Sequence, residues 1–328
     1  MVYRPDRLVS TVPDVVVIGG GISGIAAAQE IHAAGLVVTV VEKNPSVGGR
    51  MASATLGDAR LDHGAQFFTT RSAAFTGLIG AAVEAGAVAE WCTGFDPEPD
   101  GYPRWRGATA MSDLVAWMAR DLDVRLDTTV TDLREMPARA YIITAPVPQS
   151  LAILSFSDML PEPGLAAALS AIAYKPTIAV LLSLSASPAG LAAHGGAQFA
   201  SDPHLAFVTE NQNKGISTHP ALTIHLSNEY SAELWEMPDA EVVKRAVDLA
   251  DDRLGIFNTG AAPTPEILDQ RVQRWRYAGP VQVWPEATVV FGQDHPVALA
   301  GETFAGPKVE GAFLSGLAAA GAIMERLQ

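Results

Sequence analysis

Residues 14–18, Asp-Val-Val-Val-Ile, form a near-continuous β-branched run, the pattern of a parallel strand buried on both faces. A glycine-rich segment, 19–24, follows. Residues 25–34 are then rich in helix formers and stop before Gly35. Residues 37–41 repeat the buried-strand pattern and end at Glu42. The spacing is that of a β–α–β unit.

Further along, residues 56–62 hold a short hairpin, 72–89 a helix, and 90–106, rich in Trp, Pro and Gly, loop and short strand. Residues 111–121 read as a helix. Residues 124–130 and 141–145 read as strands, the second running into Pro146 and Pro148. The middle of the chain is mainly strands: 177–184, 205–209, 221–226 and the polar–apolar alternation of 266–277, with one helix at 239–253. A brief strand at 289–291, a buried one at 297–300 and a helix at 310–327 close the chain. The predicted fold class is α/β: a Rossmann-like domain built from both ends of the sequence, and a second domain on a mainly antiparallel sheet with helices. No internal repeat or low-complexity tract interrupts it.

Composition narrows the function classes. With 328 residues, 48% hydrophobic and 18% charged, the chain has enough apolar material for a sizeable core. A formal net charge of −14 argues against general binding to nucleic acid or anionic membranes, while leaving small anionic ligands open. The single cysteine, Cys92, excludes an intrachain disulfide and suits a reducing compartment, so a cytoplasmic location is expected. Residues 1–13 have no long apolar core of the signal-peptide kind, and no stretch reaches the roughly 18 apolar residues of a membrane helix. There is no G-x-S-x-G between strand and helix, no C-x-x-C and no H-E-x-x-H. Neither an acyl-transfer triad nor a metal site is therefore expected.

Gly19, Gly21 and Gly24 match G-x-G-x-x-G in the required context, after a buried strand and opening a helix. Gly19 allows the tight turn, Gly21 the approach of a pyrophosphate, and Gly24 close helix–strand packing. Ile22 and Ser23 complete a helix N-terminus whose free N–H groups and dipole suit phosphate. Glu42, about 20 residues on, is placed to accept from the adenosine ribose hydroxyls. Lys43 follows it, and Gly48-Gly49-Arg50-Met51 adds two glycines for close backbone approach and an arginine that can offset phosphate charge.

This segment after the second strand resembles that of the FAD-dependent amine oxidase superfamily. Asp62-His63-Gly64-Ala65-Gln66-Phe67-Phe68 resembles the family segment along the isoalloxazine ring, with His63, Gly64, Ala65 and Gln66 beside the flavin. Val130 resembles the position whose backbone contacts adenine. Gly301-Glu302 and the run from Val309 to Gly316, with Gly311, Ala312 and Phe313, resemble the C-terminal FAD signature. Within the superfamily the chain is similar to the renalase-like proteins, also through Arg274-Trp275-Arg276-Tyr277-Ala278. The resemblance implies an FAD-binding domain of residues 12–75, 107–150 and 288–328, and a substrate domain of 76–106 and 151–287. It implies an enzyme that oxidises 2- or 6-dihydro isomers of NAD(P)H by hydride transfer to flavin N5. Dioxygen would then reoxidise the flavin, giving hydrogen peroxide. Because Cys92 lies far in sequence from the C-terminal signature, the FAD is expected to be non-covalent.

A dihydropyridine needs no proton abstraction to give up hydride, so no catalytic base is expected. His63 and His225 are candidates for substrate positioning, each with a structural role as the competing reading. Arg274 and Arg276 share one face of a strand, to meet substrate phosphates or to pair with surface carboxylates, and Trp275 and Tyr277 share the other. Two further readings stay open: a flavin amine oxidase acting on a small amine, and a flavin-binding module without turnover.

Overall fold

In a computed structural model the run after Asp14 forms β1 (Val15–Ile18), every residue of it buried. The structure describes residues 12–95, 100–257 and 264–328. Residues 1–11 of the N-terminal reading, 96–99 of the 90–106 loop and 258–263 of the expected substrate domain lie outside the described residues.

Helix α1 (Ile22–Ala33) follows, and β2 (Val38–Val41) runs parallel to β1 with Val15 opposite Val38. β3 (Ser53–Leu56) and β4 (Ala59–Asp62) make the expected hairpin. α2 (Ala73–Glu84) is capped by the Ser72 hydroxyl, which accepts from the Phe75 N–H. It ends sooner than the 72–89 pattern predicts because Gly86 turns left-handed, and the chain leaves as β5 (Val88–Cys92), paired with β6 (Arg104–Gly107). After α3 (Asp113–Met118), β7 (Asp123–Arg125) is also shorter than its predicted 124–130, since Asp127 takes a φ of 50° and breaks the strand.

β8 (Ala140–Ile143) leads into two helices that the pattern missed, α4 (Val147–Phe156) and α5 (Pro163–Ser170). Both carry proline in the first turn, where its missing N–H costs nothing. The residues read as a strand stop are a helix start. The second half holds β9 (Tyr174–Leu184), β10 (Gly196–Gln198), β11 (Leu205–Glu210) and β12 (Ala221–Leu226). Then come α6 (Asn228–Glu233), α7 (Asp239–Leu254) and β13 (Ile267–Pro280). The chain returns as β14 (Val289–Phe291), β15 (Val297–Leu299), α8 (Glu302–Ala305) and α9 (Val309–Leu327).

Two main sheets result, as the fold class predicts. The first has the order β14-β15-β8-β1-β2-β7, parallel except for β14 at its edge. Val15 and Val17 on one face pack with Ile25 of α1 and Ala319 and Ile323 of α9. Val16 and Ile18 on the other pack with Leu133, Leu154 and Phe304. The second sheet, β10-β11-β12-β9-β13, is antiparallel throughout. Val208, Ile224 and Val180 pack on Val242 and Ala246 of α7. On its opposite face, Leu181 and Ala221 meet Leu56 and Leu61 of the β3–β4 hairpin. That hairpin delivers the chain from β4 into the turn at residues 62–66, so the polar positions on this face look onto the turn.

Candidate functional site

The first half of the site lies where the strand order reverses. β1 leads outward to β2 and β7 on one side, while β8 and β15 lie on the other, so the loop after β1 opens at a topological switch point. The Cβ that Gly24 lacks would stand 2.0 Å from the Gly19 carbonyl oxygen, whereas at Gly21 a Cβ would meet nothing within 4 Å. One glycine is needed for packing and the other leaves open space for a ligand. The Ile22 side chain is buried in the core, leaving its N–H at the helix start, and Ser23 Oγ is buried without a partner.

Glu42 is buried at the end of β2. Its carboxylate accepts from Gly20 N–H at 2.8 Å and from Asn44 N–H and Nδ2 at 2.8 and 2.6 Å. It therefore ties the glycine loop to the second strand. Lys43 beside it is exposed. The segment after β7 hydrogen-bonds back to Glu42 and Asn44 through Thr128 and Asp127, and Val130 packs with Ile18 and Val41. The structure thus brings Val130 to the end of β2 without the strand that was expected to carry it.

The two ends of the sequence meet at Arg50. Its guanidinium pairs with Glu302 and donates to the Tyr277 and Ala278 carbonyls at 3.2 and 3.4 Å. Glu302 Oε1 is buried and unpartnered. Gly49 stands close to Gly21, where a Cβ would come within 3.3 Å of the Gly21 Cα. Gly301 N–H donates to Ser315 Oγ at 2.9 Å. In α9, Gly316 touches α1 so closely that a Cβ would meet the Ser23 carbonyl oxygen at 2.1 Å. Gly311 and Ala312 lie in the first turn of α9, where N–H groups have no intrahelical acceptor until Ala312 donates to the Lys308 carbonyl. The Met51 and Phe313 side chains are core residues, so any contact of theirs with a cofactor is through backbone.

The second half is the 62–66 turn. A Cβ on Gly64 would stand 2.0 Å from the Arg50 carbonyl oxygen, and Ala65 N–H donates to that same oxygen at 2.8 Å. On its other side the turn is held by the antiparallel sheet. The His63 carbonyl accepts from Trp275 Nε1 at 2.8 Å and from His225 Nε2 at 3.2 Å, and the Asp62 carbonyl accepts from Thr223 Oγ1 at 3.1 Å. Gln66 Nε2 donates to the Asp62 and Gly64 carbonyls at 2.8 and 3.1 Å. The His63 ring stacks on Trp275, centroids 5.4 Å apart and 18° between planes, and its Nδ1 is buried without a partner.

Burial holds both imidazoles well below the usual histidine range, to about 4. For His63 the nearby Arg271 charge adds to this, and for His225 the bond to the His63 carbonyl opposes it. Both rings are neutral at pH 7. Beneath them, Asp62 and Lys214 form a fully buried ion pair at 2.7 Å.

His63, His225, Trp275 and Arg50 are therefore gathered around one turn. Arg274 and Arg276 are not. They lie on the other face of β13, where Arg274 pairs with Asp239 at 2.5 Å and donates to the Met237 and Trp235 carbonyls, and Arg276 stacks over the Trp235 ring. The strand alternation that groups the two arginines also turns them away from His63, and of the two readings left open for them Arg274 takes the pairing with a surface carboxylate. Tyr277 packs edge-on against Tyr174, whose hydroxyl bonds Thr303 at 2.7 Å. Lys214, Asn211 and Glu210 escaped sequence reading because they sit in a polar stretch, 210–215, that reads as a solvent-facing turn, yet all three are buried. Thr223 was legible in principle, since it is in phase with His225.

The residues fit a flavin dinucleotide. Open space at Gly21 and unpartnered buried oxygens at Ser23 and Glu302 mark a polar ligand's path from the glycine loop toward the 62–66 turn.

Comparisons with known proteins agree. Residues 17–79 match a model described as an NAD(P)-binding Rossmann-like domain, and residues 111–324 match one described as flavin containing amine oxidoreductase. Polyamine oxidase 4 of Oryza sativa subsp. japonica is 50% identical over 46 residues, 14% of this chain and 9% of its own length. Human amine oxidase [flavin-containing] B is 62% identical over 37 residues, 11% of this chain and 7% of its own length. The matching stretch thus spans a small fraction of these curated relatives. Among solved structures, wild-type putrescine oxidase bound to putrescine superposes with a TM-score of 0.70 at 17% identity, covering 95% of this chain and 99% of that one. Cyclohexylamine oxidase from Brevibacterium oxydans superposes at 0.69 and 16% identity, covering 96% and 99%. Such identities show a shared fold. The model that matches more than half of the sequence shows more: the chain belongs to the flavin-containing amine oxidoreductase family, a family of FAD-dependent oxidoreductases.

Proposed function

We propose that this protein holds FAD non-covalently and oxidises 2- or 6-dihydro isomers of NAD(P), in the manner of the renalase-like proteins, with dioxygen as final acceptor and hydrogen peroxide as product. The observation that carries this reading is the pair of neutral imidazoles at the 62–66 turn, next to the flat Trp275–His63 stack. A dihydropyridine releases hydride with the push of its own ring nitrogen, so the site needs a planar surface and neutral hydrogen-bonding groups rather than a base. The bound flavin would supply the two-electron acceptor.

The chain's residues then have distinct tasks. The glycine loop and Glu42 fix the adenosine and pyrophosphate end, and Arg50 with Glu302 joins it to the C-terminal segment. The first turn of α9 directs N–H groups and a positive dipole toward the place where negative charge collects on reduction. Trp275, His63 and His225 wall the donor's side. The only cysteine, Cys92, lies on β5, and none stands in residues 301–316, which supports bound rather than covalent flavin. Among the described residues no helix is long and apolar enough to cross a membrane. We place the domain division at the boundaries expected from the sequence: 12–75, 107–150 and 288–328 for FAD, and 76–106 and 151–287 for substrate.

A small amine is the second reading. It is favoured by the family match and by the aromatic cluster of Phe67, Trp91, Phe95 and Phe207, whose neighbouring centroids lie 4.9–6.4 Å apart. Anaerobic mixing of the purified protein with the 2- and 6-dihydro isomers decides between the two. Bleaching of the flavin's visible absorption within seconds (roughly the kcat range of ordinary enzymes) is expected. No bleaching by either isomer, with bleaching by small amines, would overturn the proposal. A flavin that no donor reduces in repeated cycles would identify a module without turnover.

A further inference from the structure

We propose that the buried Lys214–Asp62 pair is a positioning and charge-setting device for the flavin-side turn, with Lys214 a residue that acts through Asp62 on the cofactor's electron affinity.

Lys214 is among the largest fully buried side chains in the protein, and lysine is almost never found so placed without a partner. Its Nζ donates to Asp62 Oδ2 at 2.7 Å and to Gln66 Oε1 at 3.5 Å, and lies 4.9 Å from the centroid of the Trp91 ring. The backbone that carries it is fixed by two further buried polar residues. The Glu210 carboxylate accepts from the N–H groups of Gln212, Asn213 and Ala221. Asn211 Nδ2 donates to Thr223 Oγ1 at 3.0 Å, and its Oδ1 accepts from Asp62 N–H at 3.2 Å. So much buried polarity in the link between β11 and β12 serves one end, which is to deliver an ammonium to a carboxylate.

That carboxylate opens the turn. Asp62 Oδ1 accepts from Met111 N–H at 3.0 Å and from the Ser53 hydroxyl, and Oδ2 takes the ammonium. One residue later stands His63, whose carbonyl is gripped by Trp275 and His225. A charge pair of this kind is costly to bury, and replacing it by apolar residues often leaves a fold as stable as before. Its place at the start of the flavin-side turn points to a task beyond stability. Burial pushes the Lys214 ammonium down, Asp62 opposes that shift, and the Arg106 guanidinium adds to it, so the Asp62 carboxylate also faces a second, partly buried cation. Arg106 itself has a buried Nε without a partner. A carboxylate without its ammonium would place a negative charge next to the turn along the flavin and oppose electron uptake there.

This inference rests on the reading that the 62–66 turn borders the flavin ring, but not on which donor is oxidised. Its test uses no donor substrate. The midpoint potential of the bound flavin is measured by photoreduction against a reference dye in wild type, Lys214→Met, Asp62→Asn and the double variant. Lys214→Met is expected to shift the potential negative and Asp62→Asn positive, with the double variant returning most of the way to wild type. Unmoved potentials in both single variants, whatever happens to their melting temperatures, would mean a merely structural pair and overturn the proposal. If Lys214→Met does not retain flavin, Asp62→Asn alone decides, a positive shift supporting the proposal and the wild-type value overturning it. A wild-type protein that binds no FAD overturns both this inference and the flavin site. Silence toward dihydronicotinamides, with the expected potentials, overturns only the substrate reading.

Discussion

The glycine loop and the 62–66 turn face one another across the proposed cofactor, and they are built by opposite means. At the loop, function comes from what is missing: side chains at Gly21, Gly24 and Gly316, whose absence lets backbone approach backbone and leaves room for phosphate. At the turn, function comes from polar side chains driven into the interior, namely Asp62, Gln66, Lys214, Asn211, Thr223 and His225. At Gly24 and Gly316 the first device has no room for an added atom. The second is sensitive to removal, because these six side chains are each hydrogen-bonded to a partner within the network. Pyrophosphate binding is a generic task that backbone can meet. Orienting a planar ring against a particular donor needs a surface made to measure.

The largest expected effect sits on the loop. In Gly24→Val the new Cβ meets the Gly19 carbonyl oxygen at 2.0 Å, a backbone atom that cannot step aside. A cost of about 3 kcal/mol or more, roughly a hundredfold in FAD affinity, is expected. Fluorescence titration of the apoprotein reads it, and near-normal affinity would break the assignment of the loop.

Next is Glu42→Ala, which leaves Gly20 N–H and the Asn44 donors without their acceptor. The buried Gly20 N–H left without an acceptor costs about 1–3 kcal/mol, while the exposed Asn44 turns to water. A fall in melting temperature together with roughly tenfold weaker FAD binding is expected. Unchanged FAD affinity would show that Glu42 serves the loop alone and not the ribose.

The turn makes a prediction in pH. His63 and His225 are held near 4 against an ordinary value of 6.5, so between those values the unfolded chain binds protons that the native state refuses. Their contribution to stability is complete above about pH 6.5 and is lost as the pH falls toward 4. Thermal melts across that window should show a decline that is shallower in His225→Phe. An unaltered slope in that variant would mean that the ring is not buried neutral.

The smallest effect is expected at Arg274→Gln. The side chain is partly exposed and bonds Asp239 and the Met237 carbonyl on the outer face of the sheet. Stability should change by about 1 kcal/mol or less and KM for a dinucleotide donor not at all. A several-fold rise in KM would return Arg274 to the substrate site.

The same contrast governs what could be read in advance. Regular strands with β-branched runs, the G-x-G-x-x-G spacing and the Gly-Gly-Arg segment are local signals, so the Rossmann half and the meeting of the two chain ends were legible. The break at Gly86 shortened a helix whose core was correctly placed, while the break at Asp127 fell at the centre of the strand expected over 124–130 and left only 124 and 125 of it in β7. α4 was missed because Pro146 and Pro148 read as a stop, although proline also begins helices. The ion pair was illegible for a deeper reason. Asp62 and Lys214 are separated by about half the chain, and nothing near Lys214 marks it as buried. Arg274 and Arg276 left two readings open for another reason: alternation gave their shared face but not what that face would meet.

One ligand lying between loop and turn is the central requirement, and the chromophore of the purified protein tests it most directly. The prediction is a yellow protein with one FAD per chain, released intact into the supernatant on acid precipitation. A colourless preparation that stays empty in excess FAD, or a flavin that remains with the precipitated polypeptide, contradicts it.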